Sequence, residues 1–157
     1  MSSKIRIAKW LAVALIALIV GAQFIRPARS NPASIQSQSL AAHTQLNPQV
    51  AAILDRSCVD CHSNQTRWPW YSNVAPVSWF VIDHVNHGRS HLNFSEWSRY
   101  ERDDAEDLLE EMCEEVKSGA MPLSSYTRIH RNAKVSAEDA RLICEWSAAE
   151  RERIASR

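Results

Sequence analysis

The hydrophobic positions of this chain form one long apolar run near the N-terminus and, later, a series of shorter segments with helical spacing. The run extends from Trp10 to Ala22, and residues 26–47 then carry no apolar period. From Pro48 onward apolar residues return at the 3.6-residue period of an α-helix. Glycine is scarce and no strand-like alternation runs far. The pattern predicts an all-α domain over residues 48–153.

The two clearest predicted helices have recognisable ends. The first runs from Asp103 to about Ser118 and should end at Gly119, a residue that suits the left-handed turn after a helix. The second follows an N-cap at Ser136 and continues to about Arg153. One apolar face of the first helix is formed by Ala105, Leu108, Leu109, Met112, Cys113 and Val116.

Three further helices are predicted between residues 48 and 100. Pro48 suits the first turn of a helix that leads into a cysteine pair. Pro76 begins another helix, for which Gly88 is the expected C-terminal stop. Asn93, with Glu96 three residues later, predicts a capping box at the start of a short helix.

Residues 1–25 have the features of a signal or a membrane anchor. Lys4, Arg6 and Lys9 precede the apolar run, as in a secretory signal. With the residues up to Ile25 the run approaches the ~20 residues of a membrane-spanning helix. We favour an uncleaved anchor in the inner membrane, with a cytoplasmic N-terminus. Cleavage, which would leave a soluble periplasmic protein, is the alternative. Residues 26–47, rich in Pro, Ser and Gln, are the predicted flexible tether.

The motif Cys58-Val59-Asp60-Cys61-His62 is the attachment signature of c-type haem. Two thiols at this spacing can add to the two vinyl groups of one porphyrin, and the adjacent imidazole of His62 can reach the iron. A zinc site needs a second ligand pair nearby, and the pair His87 and His91 lies too far along the chain. A thiol redox site needs a βαβ context, which is not predicted here. Export also provides the oxidising compartment in which bacteria attach c-type haem.

The residues alone leave the second axial ligand of the iron open. Met121 lies after Gly119 and before Pro122, in a loop that could aim its thioether rigidly. A methionine can equally fill a gap in a core. Ligation by His and Met would raise the reduction potential and close both faces of the haem, which favours electron transfer. The rival ligands are His43, His84, His87, His91 and His130.

Cys113 and Cys144 lie on two different predicted helices, near an apolar face of each. In an oxidising compartment they can form a disulfide, but two buried thiols would also pack as small hydrophobic groups. Arg67 and Arg89 could pair with haem propionates, although arginines at the surface are common. Aromatic candidates for the walls of a haem pocket, which an ordinary core explains almost as well, are Trp68, Trp70, Tyr71, Trp79 and Phe80.

The net charge is zero, with 18 basic and 18 acidic residues, and this argues against a nucleic-acid partner. The acidic residues are concentrated over residues 101–115. Such a face usually contacts only water, but it could also steer a basic redox partner.

Several segments of the chain carry a resemblance to a known family. They are Cys58-Val59-Asp60-Cys61-His62-Ser63, Trp68-Pro69-Trp70-Tyr71-Ser72, Ala75-Pro76-Val77-Ser78-Trp79, Gly88-Arg89, Leu92-Asn93-Phe94-Ser95-Glu96-Trp97 and Met121-Pro122-Leu123 with Tyr126, together with the membrane-proximal Gln23-Phe24-Ile25-Arg26-Pro27 and Asn31-Pro32. In these segments the chain resembles the haem-binding domain family of small, membrane-anchored, monohaem c-type cytochromes of Gram-negative bacteria. The resemblance implies one haem c attached through Cys58 and Cys61, with His62 as an iron ligand and Met121 as the preferred sixth ligand. Cys113 and Cys144 depart from the family, which usually has apolar residues there.

The expected protein is therefore a cytochrome-c-like helical haem domain behind a single N-terminal signal or anchor helix. Its expected function is one-electron transfer in the periplasm with redox partner proteins, without catalytic residues. The alternative is a haem-based sensor or peroxidase-like enzyme with an open or labile sixth site. A thiol oxidoreductase that uses Cys58 and Cys61 without haem is a third possibility.

Overall fold

The computed structural model describes residues 2–156, and these residues contain helices and no β-strand. The all-α class predicted from the sequence is confirmed. In chain order the α-helices of the described residues are α1 (Ser2–Ala22), α2 (Leu40–His43), α3 (Pro48–Ser57), α4 (Val59–His62), α5 (Val77–His91), α6 (Arg102–Ser118), α7 (Ser124–Ile129) and α8 (Ala137–Ala155). Short 3-10 helices cover Gln36–Gln38, Trp70–Asn73, Phe94–Arg99 and Arg131–Ala133.

The chain divides into two compact units. The first unit comprises the residues up to Ser30 together with Trp68–His84. The second comprises Asn31–Arg67 and the residues from Val85 onward.

Helix α1 dominates the first unit. Over Ser3–Ala22 it is long and apolar enough to cross a membrane, with a mean hydropathy of 2.1. Its large apolar side chains are exposed rather than packed in a protein core. This fits the predicted N-terminal signal or anchor, since both have this length and composition.

The hydrophobic core of the second unit lies where α3, α6 and α8 meet the chain around Phe94–Arg99. The helical period of α6 explains its part in this core, because the apolar face predicted from the sequence is the buried face. The buried core residues are Leu40, Val50, Ile53, Leu54, Leu92, Phe94, Trp97, Ala105, Leu109, Met112, Val116, Ala140, Ile143 and Trp146.

Local sequence signals set the ends of three helices, and those at Gly119 and Ser136 are as predicted. At the start of α3, Asn47 accepts a hydrogen bond from the Val50 backbone N–H. Gly119 follows α6 with φ of 75°, a conformation that glycine adopts without steric cost. Ser136 and Asp139 form a complete capping box before α8.

Cys113 and Cys144 form a disulfide between α6 and α8, with Cα atoms 4.7 Å apart. The Ser147 hydroxyl also donates a hydrogen bond to the Leu109 carbonyl. The disulfide and this bond join the two longest helices of the second unit along their packed faces.

The segment before Pro48 has structure of its own. Leu40 is buried in the core, and the Trp146 indole N–H donates a hydrogen bond to the Gln45 carbonyl over 3.2 Å. The later part of the predicted tether (residues 26–47) is therefore packed within the second unit. The three predicted domain ranges stay a prediction.

Two details of the sequence prediction are wrong. Gly88 does not end its helix, because α5 continues to His91. Glu96 does not complete a capping box with Asn93, since its carboxylate accepts from the Asn64 amide at 2.9 Å and pairs with Arg99.

Candidate functional site

The two thiols and the imidazole of the motif lie on one tight turn of the second unit. Cys58 stands between α3 and α4 with non-helical backbone angles, so the chain changes direction at this residue. Its carbonyl accepts hydrogen bonds from the Cys61 N–H at 3.1 Å and the His62 N–H at 2.9 Å. The turn therefore holds the motif residues in a fixed backbone arrangement.

Cys58 and Cys61 are free thiols and are partly buried. Burial raises the pKa of Cys58 to about 12 and that of Cys61 to about 11. Both are therefore neutral thiols at neutral pH. A disulfide-exchanging Cys-x-x-Cys site has the opposite property, because it lowers the pKa of its attacking thiol.

His62 has a defined tautomer. Its Nδ1 lies 3.1 Å from the Leu92 carbonyl oxygen, which can only accept, so Nδ1 carries the proton. In this tautomer Nε2 carries no proton, and its lone pair is the one that can bind a metal. Burial lowers the pKa of the imidazole, which keeps it neutral, and the Phe94 ring lies 6.1 Å away. A neutral imidazole whose second nitrogen is bound to a carbonyl is the usual form of a metal-ligating histidine.

Gly88 allows α5 to approach this turn closely. A Cβ atom on residue 88 would lie 2.7 Å from the Cys61 carbonyl oxygen and 3.2 Å from the Cys61 Cβ. Any side chain there would collide with the backbone of the motif. The glycine that the sequence pattern assigned to a helix end is required by this contact.

Asp60, inside the motif, joins the turn to a distant helix. Its Oδ2 accepts a hydrogen bond from the Tyr126 hydroxyl of α7 at 2.7 Å, and its Oδ1 accepts from Arg67 Nε at 2.9 Å. Burial and the bond to Asp60 raise the pKa of Tyr126, so its hydroxyl remains a donor. Arg67 also pairs with Asp55 at 3.1 Å.

Met121 is partly buried in the loop between α6 and α7. The left-handed turn at Gly119 begins the loop, and the Met121 N–H donates to the Glu115 carbonyl at 3.1 Å. Five residues later, Tyr126 makes its bond to Asp60. The loop is thus fixed to α6 on one side and, through α7, to the motif on the other.

Arg89 holds the chain that leaves the motif. Its guanidinium donates to the Ser63 carbonyl and the Thr66 hydroxyl, both at 2.7 Å, and to the Asn31 side chain at 2.9 Å. Arg67 is likewise engaged by protein carboxylates. These bonds give both arginines a structural role, and the propionate contacts considered from the sequence stay a prediction.

Several rival histidines have other partners. His43 binds the Ser37 carbonyl at 3.0 Å, and His84 binds the Phe80 carbonyl at 2.7 Å. His91 pairs with a carboxylate of α6. His130 stacks on the Tyr126 ring, with the ring centroids 4.4 Å apart, and so lies beside the residue that bonds to Asp60.

Two further observations concern the site alternatives considered from the sequence. Among residues 2–156 no group of three or more His, Cys, Asp or Glu side chains could hold a metal ion. Of the aromatic residues considered as pocket walls, Trp70 and Phe80 are 79% and 52% exposed and belong to the first unit.

A family model described as a haem-binding domain matches residues 17–149, which is most of the chain. The chain belongs to the haem-binding domain family. Haem binding is thereby established at the level of the family. No curated protein and no solved structure matches the chain.

The residues of the motif fit a haem of the covalently attached type. Two free thiols flank one turn, and the neutral imidazole of His62 has an unprotonated Nε2. Sequence reasoning missed the contacts of Asp60, Gly88 and Arg89, which support that turn. Only the glycine gave a signal, since a glycine inside a helical pattern can mark a close approach of two backbones.

Proposed function

We propose that this haem-binding protein is a membrane-anchored, periplasmic one-electron carrier. One haem c would be attached through Cys58 and Cys61, and His62 and Met121 would bind its iron. When bound, the haem supplies the redox couple, since its iron takes up and releases one electron. The observation that carries the proposal is the hydrogen bond from His62 Nδ1 to the Leu92 carbonyl beside two free thiols.

The chain's own residues would hold, orient and shield the group. The Leu92 carbonyl keeps His62 in the tautomer that presents Nε2, and it makes the imidazole a stronger donor. Phe94 and the core around it would exclude water from the surroundings of the His62 imidazole. Asp60 and Tyr126 position the helix that follows Met121.

Met121 is preferred to the histidines because of its place in the chain. Its loop is fixed at both ends by hydrogen bonds, as described above. A soft thioether ligand raises the potential of the iron and leaves no open coordination site for a substrate. Both effects favour electron transfer over catalysis. Its partners would be a donor and an acceptor protein.

Absorption spectra and carbon monoxide binding test this proposal. The purified full chain should show the long-wavelength absorption band of methionine-ligated ferric haem, and its ferrous form should bind carbon monoxide slowly. Met121→Ala should abolish the band and allow rapid binding. His130→Ala, which removes the rival near Tyr126, should change neither property.

Other outcomes identify the alternatives. Rapid binding of carbon monoxide by the unaltered protein would contradict the carrier and favour a sensor or a peroxidase-like enzyme. Loss of the native ligation in His130→Ala but not in Met121→Ala would identify His130, and not Met121, as the sixth ligand.

A further inference from the structure

The first unit exposes a group of large apolar side chains outside α1. They lie on the 3-10 turn Trp70–Asn73, at Val74 just after it, and on the first turns of α5, where Val77 and Phe80 share a helix face. An exposed tryptophan beside three further exposed apolar residues is unusual for a surface in water. The members, here called the Trp70 surface, are Trp70, Val74, Val77 and Phe80, which are 79%, 44%, 45% and 52% exposed.

Hydrogen bonds hold this segment at the C-terminal end of α1. The Gln23 side chain bonds both to the Ala75 carbonyl, at 3.0 Å, and to the Ala75 N–H, at 3.1 Å. The Trp79 indole N–H donates to the Ile25 carbonyl at 2.7 Å. Gln23 is the first residue after α1, so the Trp70 surface lies at the level where that helix ends.

The end of a membrane-spanning helix lies at the membrane surface. A helix of the length of α1 rises ~30 Å, which matches the hydrocarbon core of a bilayer. The residues just beyond it are therefore among the lipid headgroups. Tryptophan is enriched at this depth, because its ring is apolar while its N–H can bind polar groups.

The charges around the same helix end complement anionic lipid. Arg26 and Arg29 follow α1 directly, and the chain has no acidic residue before Asp55. Arg29 also donates to the Ser72 hydroxyl at 3.1 Å, which places a guanidinium beside the turn that carries Trp70. Basic residues next to a spanning helix are attracted to phospholipid headgroups.

We propose that the Trp70 surface is a membrane-interface contact. It inserts into the headgroup layer of the membrane that α1 crosses, with anionic phospholipid beside Arg26 and Arg29. This inference rests on the membrane anchor of the proposed function, but not on its redox chemistry. Lipid is favoured over a protein partner because the hydrogen bonds from Gln23 and Trp79 keep the surface at the depth of the headgroups.

Photo-crosslinking in the full-length, haem-loaded protein tests the contact. Trp70 and Phe80 are each replaced by the photoreactive residue benzoylphenylalanine, and the protein is placed in vesicles of phosphatidylethanolamine and phosphatidylglycerol. Mass spectrometry after irradiation should find phospholipid adducts at both positions. The same replacement at Glu114, an exposed residue of α6, is the matched control and should give no adduct.

A second variant tests the positioning. Gln23→Ala removes both bonds to Ala75 and should lower the adduct yield at position 70 severalfold, whereas Gln38→Ala in the second unit should leave it unchanged. Absence of lipid adducts at positions 70 and 80, or equal yields at position 114, overturns the proposal. A mature chain that begins after Ala22 also overturns it. Rapid carbon monoxide binding together with lipid adducts would contradict the proposed electron carrier and would still support the membrane contact.

Discussion

The hydroxyl of Tyr126 donates a hydrogen bond to Asp60 Oδ2 over 2.7 Å, although the two residues lie 66 positions apart. Asp60 stands inside the Cys58–His62 motif, and Tyr126 lies on the helix that follows Met121. This single bond joins the segments that carry the two proposed iron ligands. Its loss should therefore weaken the binding of Met121 to the iron and leave the binding of His62 unchanged.

Tyr126→Phe should loosen the Met121 loop. Removing a hydrogen bond to a partly buried carboxylate costs about 1–2 kcal/mol. The long-wavelength band of the ferric protein should then disappear at a lower denaturant concentration than in the unaltered protein, before the helices unfold. Absorption and circular dichroism followed in one titration measure the two events.

Ser147→Ala is the control for this variant, because the Ser147 hydroxyl donates its hydrogen bond to the Leu109 carbonyl of α6 and not to the motif. It should lower the two midpoints together. If Tyr126→Phe also moved both midpoints together, the bond would have no special role at the Met121 loop.

Gly88→Ala should destabilise the attachment site. Alanine favours a helix by about 1 kcal/mol over glycine. Its Cβ would meet the Cys61 carbonyl oxygen at 2.7 Å, and such overpacking costs about 1–3 kcal/mol. The neighbour is backbone and cannot rotate away, so the clash should prevail. Thermal unfolding of the haem-loaded protein is the measurement. Gly21→Ala, where nothing lies within 4 Å, gains only the helix preference of alanine and should not lower the midpoint. An equal or higher midpoint for Gly88→Ala would refute the close approach.

The disulfide between Cys113 and Cys144 should support stability without affecting the haem. Replacing both cysteines by serine should lower the free energy of unfolding by about 2–4 kcal/mol, because the unfolded chain regains conformational freedom. The absorption spectrum should stay the same, since the bond lies between α6 and α8. An altered ligand band in the folded double variant would count against this separation of roles.

The thiols of Cys58 and Cys61 should be poorly reactive in haem-free protein. Their pKa values are raised to about 12 and about 11, so the thiolate fraction at pH 7 is small. The rate of alkylation by iodoacetamide should increase about tenfold for each pH unit above 7. The same chain in urea should react faster at pH 7, since unfolding restores an ordinary thiol pKa. Rapid alkylation of the folded chain at pH 7 would instead support the thiol oxidoreductase.

The sequence predicted what is decided locally. The helices α6 and α8 follow from their apolar period, and Gly119 and Ser136 mark their ends. It could not predict which distant groups meet. By its local pattern Gly88 fits a helix end. The contact that requires this glycine is with the backbone of Cys61, 27 residues away, and a local pattern does not reveal such a contact. Glu96 fits a capping box by spacing alone, but the Asn64 amide binds it instead.

The candidate site divides in the same way. The spacing of Cys58, Cys61 and His62 expresses the chemistry of haem attachment, so the motif itself can be found in the sequence. The roles of the Leu92 carbonyl and of Arg89 depend on how the chain folds back. Backbone carbonyls and buried ion networks leave no pattern in a single sequence.

Covalent attachment is the central claim, and the intact mass of the purified full chain under denaturing, reducing conditions tests it most directly. The mass should equal that of the polypeptide plus one haem. The variant with Cys58→Ala and Cys61→Ala should have the mass of its polypeptide alone, whereas the one with Cys113→Ser and Cys144→Ser should keep the haem. An unaltered protein that loses its haem on denaturation would contradict the account.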